Sequence, residues 1–219
     1  MSRQWPSVMG GDGADELAAR ARRLAEPGAR RILGITGAPG AGKSSLVAAI
    51  VASLGGLALA VPMDGFHLAN AELERLGRGD RKGAPDTFDA EGYVVTLRQL
   101  REAGEDEIVY VPEFDRDADQ PRADAIAIPG RVPLVVTEGN YLLLDDRPWA
   151  AIRDLLDEVW YLDPDDRTRV ERLIDRHVRH GKTREDARAW VERSDEANSR
   201  LVAATRDRAD VIITGWISW

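Results

Sequence analysis

The sequence predicts an α/β fold in which helices cover both faces of a doubly wound, mostly parallel sheet. Short apolar runs alternate with helix-length segments along most of the chain, which is the order that parallel sheets require. A glycine-rich turn joins the first run to an apolar helix, and acidic residues end two of the later runs. Together these features favour one large α/β domain.

The predicted elements follow from hydrophobic spacing, read in chain order. Strands are predicted at residues 31–36, 57–61, 107–111, 133–139, 159–162 and 211–213. Helices are predicted at residues 14–25, 45–54, 91–101, 166–180 and 184–204. Residues 113–129 are charged and turn-like, and we interpret them as a functional loop. The chain then divides into an N-terminal extension and helix (1–30) and a single domain (31–219) whose lid spans about 176–190.

Length and composition exclude several classes of protein. A chain of 219 residues buries about 70% of its unfolded surface, which is enough for a sizeable core. The absence of cysteine excludes disulfides, thiolate zinc sites and cysteine nucleophiles. The net charge of −8 argues against a nucleic-acid partner, and no apolar run is long enough to span a membrane. We expect a cytoplasmic protein, and Trp216 and Trp219 are candidates for a homodimer interface.

The glycine-rich turn is a complete G-x-x-x-x-G-K-[ST] phosphate-binding loop at residues 37–44, and it predicts a P-loop NTPase fold. Between a strand and a helix, backbone N–H groups converge on phosphate oxygens. Lys43 supplies a charge for the β- and γ-phosphates, and the Ser44 hydroxyl is suited to Mg²⁺. A loop that binds nothing is the alternative, which the flanking elements disfavour. The predicted nucleotide-binding residues of this loop are Gly37, Ala38, Pro39, Gly40, Ala41, Gly42, Lys43, Ser44 and Ser45.

Two acids follow strands at the carboxyl edge of the sheet, where ligands bind in such folds. Asp64 follows the second strand, and we interpret it as the base that orients and deprotonates an attacking hydroxyl. Glu138 ends a later strand, where an acid that holds Mg²⁺ directly or through water is expected. The alternatives are a turn or N-cap role for Asp64 and a solvated strand end for Glu138.

The helix predicted at 166–180 has two faces. A core-facing stripe carries apolar residues and one histidine: Val170, Leu173, Ile174, His177 and Val178. The opposite face carries four arginines: Arg169, Arg172, Arg176 and Arg179. A solvated surface is the ordinary explanation of such an arginine stripe. The turn at residues 181–183 and the following helix instead favour a lid hairpin that folds these cations over phosphates, with His177 and His180 as lid or packing residues.

The motifs GAPGAGKSS, MDGFHL, PDTFD, PEFDR, VVTEGNYLL and DPDDRTRVERLIDRHVRHGKT occur in this order. They resemble the phosphoribulokinase/uridine kinase family of P-loop small-molecule kinases over about residues 31–215. The resemblance implies ATP and Mg²⁺ as cofactors, with Ser44, Asp64 and Glu138 as the residues that hold the metal. It implies Lys43, Asp64, Arg172 and Arg176 as catalytic residues, and Arg176 also as a nucleotide-binding residue. The implied acceptor-binding residues are His67, Phe88, Phe114, Asp115, Arg116 and Tyr141.

We therefore expect a kinase that transfers the γ-phosphoryl group of ATP to a hydroxyl of a small metabolite. Nucleosides, sugars and pantothenate-like alcohols all remain open as acceptors. Glu113 and Asp115 favour a polyhydroxyl acceptor, whereas Arg116 and Arg122 favour an anionic one. The alternative is a nucleotide-binding switch or regulatory protein that phosphorylates no metabolite. The sequence lacks the N-K-x-D segment that guanine-specific switches typically carry.

Overall fold

The computed structural model describes residues 7–9 and 13–214. Its strands are β1 (Ser7–Met9), β2 (Arg31–Gly37), β3 (Ala58–Pro62), β4 (Ile108–Asp115), β5 (Gln120–Pro129), β6 (Leu134–Glu138), β7 (Glu158–Asp163) and β8 (Val211–Thr214). Its α-helices are α1 (Ala14–Leu24), α2 (Lys43–Leu54), α3 (Asn70–Arg75), α4 (Ala90–Glu102), α5 (Asp166–Arg179), α6 (Arg184–Trp190) and α7 (Glu196–Ala203).

Six of these strands form one sheet in the order β1-β8-β7-β2-β6-β3, and every neighbouring pair is parallel. Helices cover both faces, so the central strands are apolar on both sides. On β2, Ile32 faces a core shared with α4, whereas Leu33 and Ile35 face a core shared with α1 and α2. The predicted α/β fold with a doubly wound parallel sheet is confirmed.

The carboxyl edge of the sheet brings three chain segments together. The loop after β2 leads directly into α2. A single 3₁₀ turn, Met63–Phe66, follows β3. Pro62 at the end of β3 pairs with Glu138 at the end of β6, so the two strands end side by side. The segments that carry the phosphate loop, Asp64 and Glu138 therefore meet at one edge.

The interpretation of residues 113–129 as a loop is wrong. This stretch forms most of an antiparallel hairpin, in which β4 and β5 pair from Ile108 and Pro129 to Asp115 and Gln120. The hairpin packs on the sheet core through Val111 and Ile128, which are both fully buried. Val111 and Ile128 are the buried residues of the hairpin, and Val109 and Ile126 pack partly buried beside them. Charged residues and prolines interrupt the apolar residues of 112–124, so the strand pattern in the sequence is weak.

The second lid helix is interrupted, which corrects the prediction of one helix over 184–204. α6 ends at Trp190, a π-helical turn runs over Val191–Asp195, and α7 follows. A π turn bonds each residue to the one five positions away, so it shifts the helical register by one residue. The side chains of α7 consequently face directions that a continuous helix would not give them.

The apolar stripe of α5 packs against the second lid segment and not against the sheet. Leu173 and Ile174 form a small separate cluster with Ala187 and Val191, and Val170 packs at its side. Val178 lies outside this cluster and is exposed. The prediction of a core-facing stripe is therefore corrected, because its partner is the neighbouring helix.

Near the chain ends, β1 pairs with β8, so part of the predicted extension adds a strand to the sheet. The division at residue 30 and the lid limits remain predictions. Trp216 and Trp219 lie outside the described residues, so the interface suggested for them does as well. Within the described part of the chain, no helix has both the length and the apolar character needed to cross a membrane.

Candidate active site

The phosphate loop lies between the end of β2 and the first turn of α2, with α5 packed over it. Gly40 has a φ of 80°, in the left-handed region that favours glycine. A Cβ atom at Gly40 would lie 2.7 Å from the backbone oxygen of Arg169 and 2.7 Å from the Cγ of Leu173. The loop therefore needs glycine here both for its turn and for the close approach of α5.

The Lys43 ammonium is buried and donates three hydrogen bonds, two of them within the loop. Its Nζ donates to the backbone oxygens of Gly37 at 2.9 Å and Ala38 at 3.2 Å, and to Asn140 Oδ1 at 2.7 Å. Burial lowers the pKa of Lys43, and the nearby charge of Glu138 opposes that shift. Sequence reasoning missed Asn140, although it follows Glu138 by two residues at the same strand end.

Ser44 and Glu138 are in direct contact. The Ser44 Oγ donates to Glu138 Oε1 at 2.8 Å. Burial raises the pKa of the Glu138 carboxyl, the negative charge of Asp64 raises it further, and Lys43 opposes both effects. A hydroxyl and a carboxylate thus face one another beside the first turn of α2.

Asp64 lies in the turn after β3 and is held more loosely. Its side chain is 40% exposed, and its Oδ2 lies 3.9 Å from the Nη2 of Arg116 on the hairpin. Gly65 makes this arrangement possible, because a Cβ atom there would collide with the backbone oxygen of Pro112. The hairpin therefore packs directly against the turn that carries Asp64.

One cavity of about 690 Å³ joins these groups. The predicted site residues that line it are Pro39, Gly40, Lys43, Ser44, Asp64, His67, Phe88, Phe114, Arg116, Glu138 and Arg176. The predicted residues that do not line it are Gly37, Ala38, Ala41, Gly42, Ser45, Asp115, Tyr141 and Arg172. Most of the loop residues in this second group are next to ones that do line the cavity.

Three of the predicted residues that lie outside the cavity wall have other surroundings. Asp115 caps the hairpin turn, where its Oδ1 accepts from the N–H groups of Asp117 and Ala118 at 3.0 Å each. Tyr141 is buried, and its hydroxyl donates to the backbone oxygen of Gly83. Arg172 has a buried Nη1 atom with no hydrogen-bond partner among the described residues. Direct ligand contacts by these three side chains remain predictions.

An aromatic wall stands beside Asp64. The His67 ring stacks on Phe88 with centroids 3.9 Å apart and lies 5.0 Å from the centroid of Phe114. Burial lowers the pKa of His67, and the charge of Asp64 opposes this shift. His67 Nδ1 is buried without a hydrogen-bond partner in the described part of the chain. The wall therefore offers apolar ring faces and one unsatisfied ring nitrogen.

Lys82 also lines the cavity, although sequence reasoning did not select it. Its Nζ donates to Asn70 Oδ1 at 2.8 Å and to Asp119 Oδ2 at 2.8 Å, and it lies 5.2 Å from the centroid of the Phe114 ring. Lys82 lies just before the PDTFD motif in the sequence, and this position could have identified it as a candidate site residue. Lys82 joins the segment before α4 to the tip of the hairpin.

Arg169 belongs to the arginine stripe by spacing, but the structure makes it a structural residue. It is 3% exposed and donates to Ser199 Oγ at 2.9 Å and Glu196 Oε1 at 2.6 Å. Its Nη1 also lies 3.4 Å from the backbone oxygen of Pro39. The expectation of a solvated or phosphate-facing Arg169 is therefore corrected: this cation ties the phosphate loop to α7.

The remaining cavity wall comes from the lid hairpin. Arg176 lines the cavity close enough to Lys43 to lower the pKa of that ammonium. His177 lines the cavity, and its Nε2 lies 2.9 Å from Asp195 Oδ2. Lys182 lies 4.7 Å from the centroid of the Trp190 ring. The lid thus contributes both cations and hydrogen-bonding groups.

Comparisons with known proteins agree with this geometry. The sequence model of the phosphoribulokinase/uridine kinase family matches residues 32–216. A Schizosaccharomyces pombe protein provisionally named a uridine kinase is 31% identical over 210 residues, which cover 91% of this chain and 89% of that protein. The ATP-dependent kinase YFH7 of Zygosaccharomyces rouxii is 27% identical over 187 residues, which cover 70% of this chain and 50% of the relative.

The likeness extends to solved structures. A protein of Silicibacter sp. TM1040, described provisionally as a fructose transport system kinase, is 35% identical with a TM-score of 0.81. The match covers 90% of this chain and 98% of the other. The predicted P-loop NTPase fold and the resemblance inferred from the motifs are both confirmed.

Proposed function

The chain belongs to the phosphoribulokinase/uridine kinase family, and we propose that it transfers the γ-phosphoryl group of ATP to a hydroxyl of a small metabolite. Family membership makes it a P-loop kinase and implies the use of ATP. The observation that carries the proposal is that Lys43, Ser44, Asp64 and Glu138 line one cavity of about 690 Å³. A phosphate loop and an accessible carboxylate in one cavity are what transfer to an alcohol requires.

Lys43 binds the β- and γ-phosphates in this proposal. All three of its donors are already used, on two backbone oxygens and Asn140. A phosphate oxygen therefore replaces at least one of these acceptors when ATP binds. Because the ammonium is buried, its attraction to phosphate is weakened little by water.

The residues present fit a magnesium ion. Mg²⁺ usually takes one or two carboxylates and completes its shell with phosphate oxygens and water. Ser44, Asp64 and Glu138 would hold it, and the 2.8 Å contact between Ser44 and Glu138 brings two suitable oxygens together. No cluster of three or more His, Cys, Asp or Glu side chains within residues 7–9 and 13–214 could hold a metal by itself. Held by these residues, a magnesium ion would supply positive charge that neutralises the charge developing on the phosphates.

Asp64 is the proposed base. Its partly exposed carboxylate accepts the proton of the acceptor hydroxyl as that oxygen forms a bond to the γ-phosphorus. The bond between the γ-phosphorus and the bridging oxygen of ADP breaks, and ADP leaves with the electron pair. Lys43 and Arg176 stabilise the charge that spreads over the transferred group.

The test is ADP release with ATP and Mg²⁺, measured with and without an acceptor panel. The panel contains uridine, D-ribose, D-fructose, D-glycerate, pantothenate and D-ribulose 5-phosphate, and products are identified by mass. Turnover that requires one of these compounds and yields its phosphate ester supports the proposal. Turnover at the same rate without any acceptor contradicts it and favours a nucleotide-binding switch.

A further inference from the structure

The helix that follows the π turn presents two polar side chains that phosphoryl transfer does not use. Asp195 and Asn198 are 8% and 6% exposed, and both line the cavity. Asp195 ends the π turn and precedes α7, and Asn198 lies three residues later in the first turn of α7, so the two lie on one helical face. The π turn over Val191–Asp195 sets the register that turns this face towards the cavity.

The contacts of these two residues leave some polar atoms without partners. Asn198 Nδ2 makes only a long hydrogen bond, 3.4 Å from the backbone oxygen of Gly83. Asp195 Oδ2 lies 2.9 Å from His177 Nε2. Asp195 Oδ1 and Asn198 Oδ1 accept no hydrogen bond from residues 7–9 and 13–214. Both side chains line the cavity, so these two oxygens can accept hydrogen bonds from a ligand that enters it.

Asn198 contacts the chain segment that lies beside the aromatic wall. Gly83, which Asn198 contacts, also accepts from the Tyr141 hydroxyl. Gly83 is adjacent to Lys82, which itself contacts the Phe114 ring of the aromatic wall. Asp195 and Asp64 both line this cavity.

The charge balance of this part of the cavity disfavours an anionic acceptor. Lys82 is paired with Asp119 at 2.8 Å, and Arg116 lies 3.9 Å from Asp64. No Lys or Arg of the described residues forms an ion pair with Asp117 or Asp195. The cavity cations without a carboxylate partner, Arg176 and Lys182, belong to the lid hairpin, where the phosphates of ATP need them.

On the basis of the proposed kinase function, we propose that Asp195 and Asn198 bind the acceptor, and that this acceptor is an uncharged molecule with neighbouring hydroxyl groups. A carboxylate accepts from two adjacent hydroxyls, and a carboxamide both donates and accepts. The ring faces of His67, Phe88 and Phe114 pack against the carbon skeleton. A buried carboxylate repels an anionic acceptor in the same position.

The acceptor panel tests the class of compound. Uridine, D-ribose and D-fructose are uncharged with neighbouring hydroxyls, whereas the other three compounds are anions. Highest kcat/KM with an uncharged member supports the inference, and highest kcat/KM with an anion overturns it. If no compound is phosphorylated, the proposed function fails. The melting temperature, measured with a non-hydrolysable ATP analogue and each compound, then tests this inference separately. A rise caused by an uncharged compound supports it, and the absence of such a rise overturns it.

Two variants test the residues. Asp195→Asn keeps a partner for His177 but removes the charge, and Asn198→Ala removes the amide. We expect each to raise KM for the best uncharged acceptor about tenfold, with kcat and the KM for ATP changed less than about threefold. Glu192→Gln is the matched control, because Glu192 is an exposed acid of the same π turn and does not line the cavity.

Specificity provides a readout that a purely structural role would not change. Asp195→Asn should raise the kcat/KM of D-glycerate relative to the best uncharged acceptor about tenfold, because the repelling charge is gone. Glu192→Gln should leave that ratio unchanged. An unchanged acceptor KM in both site variants overturns the inference, as does an equal change of the ratio in the Glu192→Gln control. If no compound is turned over, the thermal shift produced by the uncharged compound is compared instead. Its loss in the two site variants but not in Glu192→Gln supports the inference, and equal shifts in all of them overturn it.

Discussion

The two ends of the cavity are built differently. At the phosphate end, Lys43 and Glu138 are each 8% exposed, and their hydrogen bonds to Asn140 and Ser44 are 2.7 and 2.8 Å long. At the acceptor end, the side chains of Asp64 and Arg116 are 40% and 58% exposed and stand 3.9 Å apart. The first end rests on sheet strands and α2, whereas the second rests on turns and a hairpin.

This difference follows from what each end binds. The triphosphate is a constant reactant, so groups that are already aligned before binding lower the cost of reaching the transition state. The acceptor end draws part of its side chains from turns, and turns adapt to different ligands more easily than strands do. We therefore expect changes at the phosphate end to affect every acceptor, and changes at the acceptor end to depend on which acceptor is used.

The largest effect is expected from Lys43→Ala. Loss of the buried cation removes charge stabilisation for the transferred group, so kcat/KM should fall about 10³-fold with every acceptor that turns over. Steady-state ADP release measures this loss. Arg98→Ala, at an exposed cation of α4, is the control and should retain full activity. A loss of kcat/KM that differs widely between acceptors would contradict the expectation that changes at the phosphate end affect every acceptor alike.

Asp64→Asn should lower kcat about 10²-fold or more, because an amide cannot accept the hydroxyl proton. ATP affinity, measured by titration with a non-hydrolysable analogue, should change little. Asp80→Asn alters an exposed acid outside this cavity and serves as the control. Normal turnover of the Asp64→Asn variant on its best acceptor would show that another group takes the proton.

Arg176 and Arg172 offer a sharper test of the lid, because the sequence assigned both of them the same role. Arg176 lines the cavity and Arg172 does not. Arg176→Ala should therefore reduce kcat about tenfold or more, whereas Arg172→Ala should change it less than about threefold. Single-turnover rates at saturating ATP measure the difference. Equal losses would mean that lid closure brings Arg172 into the site.

The smallest effect on activity is expected from Asp157→Asn, far from the cavity. Asp157 accepts from the Ile32 N–H at 2.8 Å and pairs with Arg31 and Arg101. Burial acts to raise the pKa of Asp157, but these hydrogen bonds outweigh it and the pKa is lowered. The variant should lose about 1–3 kcal/mol of unfolding free energy at pH 7, with kcat unchanged.

The pH dependence of that loss has a definite sign. A carboxyl with a lowered folded pKa stabilises the protein above its unfolded pKa of about 4, and the contribution disappears as pH falls through the folded value. The difference between wild type and Asp157→Asn should therefore shrink on acidification. Urea unfolding at pH 7 and at about pH 3 measures it. A gap that widens in acid would contradict the ionised state of Asp157.

Much of the phosphate end could be predicted from sequence because its parts are contiguous or follow strands directly. The loop motif located Lys43 and Ser44, and a strand end located Glu138. At the acceptor end, Asp64 was located in the same way. Asn140 was missed, since its contact with Lys43 depends on how β6 lies beside β2. The sequence predicted a strand at 107–111 but not the hairpin, because charged residues and prolines interrupt the apolar residues that follow and only a few of these touch the core.

The alternation of the main sheet strands with helices, the phosphate motif and the two strand-end acids were determined by the sequence alone, because each depends on local spacing or on residue chemistry. The tertiary structure alone decided that Arg169 is a buried link between the phosphate loop and α7, and that Asp195 and Asn198 face the cavity. These outcomes depend on how α5 packs and on the one-residue shift of the π turn. Neither outcome produces a periodic pattern in the sequence. The first arises from contacts between segments distant in the chain, and the second arises from a change of helical register.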